Sequence, residues 1–145
     1  MTKVFLVVAE SSRAKIFQTD MHLSEMIELE DMVHPASRQH ERDITSDLPG
    51  RGASSGEGSH HGIDDQSNAR KEEVDIFARQ IDKHLAAMLD QGQFEKLALV
   101  ASPKFLGHLR KHLSGRLADK IVYELDKDLL HCKETELKAH LPAHF

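Results

Sequence analysis

Two short, uninterrupted apolar runs set the strongest constraint on this chain. Val4-Phe5-Leu6-Val7-Val8-Ala9 and Leu97-Ala98-Leu99-Val100-Ala101 are each bounded by polar residues. Both are too short for a globular helix, and the first is rich in β-branched residues, so they read as strands with both faces covered. Such strands need a layer above and a layer below, which commits the chain to a layered α/β design.

The remaining pattern supplies those layers. Glu10-Ser11-Ser12 is a turn, and Arg13–Thr19, with Ala14 and Ile16 or Phe17 as apolar members, reads as the hairpin partner of the first strand. After a turn at Asp20–Ser24, Glu25–Val33 alternates Ile27 and Leu29 with Glu28 and Glu30, which predicts a half-buried strand. Val74, Phe77, Ala78, Ile81, Leu85, Met88 and Leu89 fall on one helical stripe. Ser67 or Asn68 is the expected cap of that helix and Gly92 its stop. Ser102-Pro103 opens a second helix with Phe105, Leu106, Leu109 and Leu113 inward. Ile121–Leu125 is the last strand, and Thr135–Leu141 a short closing helix with Leu137 and Leu141 inward.

The predicted order is β-β-β-α-β-α-β-α. It gives an α/β, ribonuclease H-like three-layer fold: a three-strand antiparallel meander, then α-β-α-β-α, on a mixed five-stranded sheet. Neither an internal repeat nor a second domain is evident in the 145 residues, so 1–145 is expected to be one domain.

Between residues 34 and 68 the periodicity stops. This stretch holds five of the eight glycines, six serines and two of the four prolines. So long a structureless connection in a compact domain is expected to be functional or disordered. Pro49, Gly50, Gly52, Gly56, Gly58, His60 and His61 are its candidate contact residues, since glycines let a backbone approach a partner closely. Arg38, Arg42 and Arg51 can contact phosphate. No Gly-Lys-Ser/Thr follows, so the stretch is not a P-loop.

Formal charge is −5, with 19 Lys and Arg against 24 Asp and Glu, which argues against a generally basic nucleic-acid coat. The segment 104–120 departs from that average. Lys104, Arg110, Lys111, Arg116 and Lys120 stand there against Asp119, and Lys104, Arg110, Lys111 and Arg116 are candidate phosphate contacts. The competing reading is an ordinary solvated helix face.

Other chemistry finds little support. Two-metal phosphodiester cleavage needs converging carboxylates at the ends of the first and fourth strands. Here the first offers Glu10 and the fourth ends in Ala101-Ser102-Pro103, so nuclease activity is not expected. His60-His61 with Asp64 and Asp65 is the nearest approach to a metal set, but adjacent histidines point apart, and neither a metal nor a cofactor is expected. No nucleophile spacing commits to catalysis, and Cys132 reads as a small buried residue. The six-residue apolar run near the N-terminus is too short for a signal-peptide core, and no membrane span is evident. The expectation is a cytoplasmic protein with a reduced thiol.

Asp31-Met32-Val33-His34-Pro35, Arg42-Asp43-Ile44-Thr45-Ser46-Asp47-Leu48-Pro49-Gly50-Arg51, Val100-Ala101-Ser102-Pro103-Lys104-Phe105-Leu106-Gly107-His108-Leu109-Arg110 and Glu124-Leu125-Asp126-Lys127-Asp128-Leu129 carry a family resemblance. With them the whole chain resembles the bacterial family named for attachment to host cells. That family is in turn similar in layout to the middle domain of archaeo-eukaryotic peptide-chain release factors. In those factors the long loop enters the ribosomal peptidyl-transferase centre and carries Gly-Gly-Gln. The nearest segments here are Gly50-Arg51-Gly52 and Gly56-Glu57-Gly58, so the resemblance does not carry release activity with it. What it implies is a non-enzymatic factor that docks the 34–68 loop on the ribosome or a transfer RNA. The alternatives are a protein-interaction module acting indirectly on attachment, and a minor hydrolase using the loop histidines. A homodimer through an exposed meander edge is a further expectation.

Overall fold

The structure, a computed structural model, describes residues 2–34 and 56–145, the side chains of 56–70 excepted. Strands β1 (Lys3–Ala9), β2 (Arg13–Asp20) and β3 (Ile27–Val33) are followed by helix α1 (Gly56–Asp90), strand β4 (Lys96–Ala101), helix α2 (Pro103–His112), the single turn α3 (Gly115–Ala118), strand β5 (Ile121–Leu125) and helix α4 (Glu134–Ala139). The sheet order is β3-β2-β1-β4-β5. β1–β2 and β2–β3 pair antiparallel, and β1–β4 and β4–β5 pair parallel, so the expected mixed five-stranded sheet is present.

The two continuous apolar runs are the central strands, and each is sealed on both faces. Phe5, Val7, Leu97 and Leu99 face one layer with Phe77 and Leu85 of α1 and Leu109 of α2. Val4, Leu6 and Val8 face the opposite layer, made by Leu23, Met26 and the segment containing Leu129, Leu130, Leu137 and Leu141. In β2 both Ile16 and Phe17 are buried, one in each layer, because successive side chains leave a strand on opposite faces. Each such side chain contributes about 1.5–3 kcal/mol on leaving water.

The stripe from Val74 to Met88 is buried as its spacing requires. α1 ends where Gly92 adopts φ +71°, and the Gly92 and Gln93 amides donate to the Leu89 and Met88 carbonyls. Its start differs from expectation: the helix begins at Gly56, ahead of Ser67 and Asn68. Residues 56–68 are helical backbone where the polar composition predicted a loop. A nucleated helix gains one backbone hydrogen bond per residue added, and that gain overrides the weak propensity of glycines 56, 58 and 62.

A second correction concerns β3. Ile27 and Leu29 are exposed at 52% and 38%, so they are not the inward face. A register irregularity opposite Ile16 and Phe17 leaves Leu29 between paired residues. Glu28 pairs with Lys15, and Glu30 with His84 of α1. Met26 and Met32, at the two ends, make the apolar contacts.

Candidate functional site

The carboxyl ends of β1, β3, β4 and β5 lie at one end of the sheet, where ligands of open α/β sheets generally bind. Four features meet there: Glu10 and Ser12 after β1, His34 after β3, the start of α2, and the link after β5 that carries Asp128 and His131. Each of Glu10, Asp128 and His131 offers one ligand atom, and the three atoms lie within 4.8 Å of one another. Ser12, 3% exposed, donates its hydroxyl to Glu10 Oε1 at 3.1 Å.

Beside this end, α1 is fastened to its surroundings by histidine–carboxylate pairs. His34 is buried, stacks on Phe77 with ring centroids 5.5 Å apart, and meets Glu73 Oε2 through Nε2 at 2.8 Å. His84 of α1 pairs with Glu30 of β3. Asp75 Oδ1 receives two histidines of α2, His108 Nδ1 at 2.8 Å and His112 Nε2 at 3.1 Å. Burial disfavours the Asp75 carboxylate, but the hydrogen bonds of His112 and His108 outweigh it and hold the group below its ordinary pKa. Further along α1, Asp82 accepts the Ser114 amide at 2.8 Å, tying α1 to the residue that precedes α3.

Several residues of the recognisable motifs are therefore fasteners. Arg110 forms a forked pair with Glu124 on β5, at 2.8 Å and 3.1 Å, and that carboxylate holds the guanidinium pKa up. Arg13 grips Asp31 through two nitrogens at 2.9 Å and 2.5 Å. The Arg13 hydrogen bonds hold Asp31 below the ordinary carboxylate range.

The predicted phosphate contacts fall into three groups. Lys104 and Lys111 are exposed on α2, and their ammonium groups make no hydrogen bond or ion pair among the described residues. Arg110 and Arg116 are also exposed, but each holds a carboxylate, Arg116 that of Asp90 at 2.7 Å. Arg38, Arg42, Arg51, Pro49, Gly50 and Gly52 lie outside the described residues. Gly56, Gly58, His60 and His61 belong to the first turns of α1, whose side chains are outside them too.

Sequence reasoning missed Asp128 and His131 as neighbours of Glu10. The signal that could have found them is topological: β1, β4 and β5 are parallel neighbours, so the residues that follow each emerge at the same end. Cys132 is half-buried, packed against the layer of Leu129 and Leu130. Among the described residues no helix is long and apolar enough to cross a membrane.

Comparison with known proteins adds two findings. The family model described as "Protein required for attachment to host cells" matches residues 5–141. Among solved structures, an archaeal translation termination factor is similar with a TM-score of 0.51 at 9% sequence identity, over 84% of this chain and 29% of that one. The chain thus spans under a third of that factor's length, and the likeness is one of fold. No curated protein matches the sequence.

Proposed function

The chain belongs to the family of proteins required for attachment to host cells, and from that premise we propose that it is a non-enzymatic factor that associates with ribosomal or transfer RNA. The observation that carries the reading is the fold shared with a translation termination factor across 84% of this chain. The segment 34–68, whose last residues open α1, lacks Gly-Gly-Gln, which favours docking over hydrolysis. Lys104 and Lys111 supply positive charge that no described residue pairs, at the exposed surface of α2, suited to a phosphate backbone. Sedimentation of cell lysate at low salt tests it. The protein should travel with ribosomal particles or tRNA and return to the free fraction after RNase treatment or at high salt. A protein that stays free across growth phases and stress removes the reading.

The edge strand β3 favours one second reading, a protein-interaction module. Ile27, Leu29 and Val33 are exposed at 52%, 38% and 44% on a strand that, among the described residues, is paired on one side. Unpaired edge groups next to apolar side chains are a template for strand addition. Partners retained on a pull-down after RNase treatment, and lost on Ile27→Lys, would support this reading over the first.

A further inference from the structure

We propose that Glu10, Asp128 and His131 form a binding site for one borderline divalent metal ion, of which Zn²⁺ is the representative. The proposal does not depend on the RNA reading.

The donor set comes first. Two carboxylates with an imidazole differ from ordinary surface acidity, because the neutral ring nitrogen is itself a ligand. Oxygen-only sets suit Mg²⁺ and Ca²⁺, whereas mixed nitrogen and oxygen donors suit Zn²⁺ and its neighbours. Two ionised carboxylates also match the charge of one divalent cation. Arg13 acts on Glu10 from the start of β2 through charge alone, its guanidinium hydrogen bonds going to Asp31.

The geometry fits one ion. Donors bonded to zinc at about 2.0–2.2 Å in a tetrahedron stand about 3.3–3.6 Å apart. The three ligand atoms already lie within 4.8 Å of one another, and His131 Nε2 is 4.0 Å from Asp128 Oδ2. Asp128 and His131 have side chains 43% and 80% exposed, so rotamer adjustment closes the remaining gap without disturbing the core.

The frame under the ligands is firm. The Glu10 amide donates to the Arg13 carbonyl at 2.8 Å, and buried Ser12 holds one carboxylate oxygen. That is the outer-shell support that orients metal-binding carboxylates. Asp128 and His131 flank Leu129 and Leu130, buried to 7% and 4% exposure, and the Cys132 amide closes this turn on the Leu129 carbonyl at 3.0 Å. Three protein ligands leave a fourth tetrahedral position open to water or an anionic group. They do not suffice for the paired ions of phosphodiester cleavage.

Calorimetric titration of the full chain with ZnCl₂ at neutral pH tests the proposal, alongside thermal melting with and without the metal. One Zn²⁺ should bind per chain and raise the melting temperature. His131→Ala and Asp128→Asn should each weaken binding about tenfold or more. His60→Ala with His61→Ala should leave the affinity unchanged. Both altered residues of the site are exposed, so their metal-free melts should coincide with that of the parent chain. Absence of saturable binding at millimolar zinc overturns the proposal. So does undiminished binding by His131→Ala, or loss of binding in the His60/His61 double variant.

Discussion

At the scale of single residues, Asp75 shows how the histidines of this chain are used. One carboxylate oxygen takes hydrogen bonds from His108 and His112 and so ties α1 to α2. The folded protein holds Asp75 below its ordinary pKa, and folding therefore favours the ionised form. That contribution is complete above the ordinary carboxylate pKa and is lost as pH falls through the lowered folded value. Asp75→Asn should cost about 1.5–3 kcal/mol at neutral pH, the range of hydrogen bonds to a charged group. Urea unfolding as a function of pH checks it: the gap between the two proteins should narrow as the solution becomes more acid than pH about 4. None of these partnerships was legible in the sequence. His34 and Glu73 are 39 positions apart, and Asp75 and His108 are 33 apart. Residue type announces that such groups need partners, while the fold decides which ones meet.

At the scale of elements, legibility followed burial. β1 and β4, sealed on both faces, were readable from Val4–Ala9 and Leu97–Ala101 because nothing competes with a continuous apolar run. The α1 stripe was readable for the same reason. β3 was readable as a strand but not in its orientation. Alternation of Ile27 and Leu29 with two glutamates points the aliphatics inward, yet at a sheet edge the glutamates find Lys15 and His84, and the irregularity opposite Ile16/Phe17 breaks the alternation. Helix ends were unevenly legible: Gly92 ends α1 and Ser102-Pro103 opens α2, whereas α1 starts ahead of Ser67 and Asn68. A start without a side-chain cap belongs to α4. Its N-cap position is Lys133, with extended φ −73° and ψ 164° and no side-chain capping bond. A lysine there cannot accept a hydrogen bond from the first-turn amides, and its charge meets the positive end of the helix. Lys133→Ser should therefore stabilise the protein by about 0.5–1 kcal/mol. A rise in melting temperature and in the urea midpoint, with unchanged slope, is the expected result. An unchanged midpoint would mean that α4 is held by Leu137 and Leu141 whatever its cap.

At the scale of the whole molecule, the formal charge of −5 conceals an uneven distribution. Two arginines of the basic segment are paired at the surface: Arg110 holds Glu124 and Arg116 holds Asp90. Lys104 and Lys111 carry charge that no described residue neutralises. If α2 meets nucleic acid, these two lysines release counterions and the two arginines contribute less. Affinity for ribosomal RNA should then fall linearly on a log–log plot against salt. Replacing both lysines by alanine should reduce the slope by about 1.4–1.8, since each neutralised phosphate accounts for roughly 0.7–0.9 of it. Arg116→Ala should change it far less, because its guanidinium is already paired with Asp90. Filter-binding titrations at several salt concentrations separate these outcomes. A slope that survives replacement of both lysines would place the phosphate-binding surface away from α2, and would make Arg38, Arg42 and Arg51 the next positions to replace.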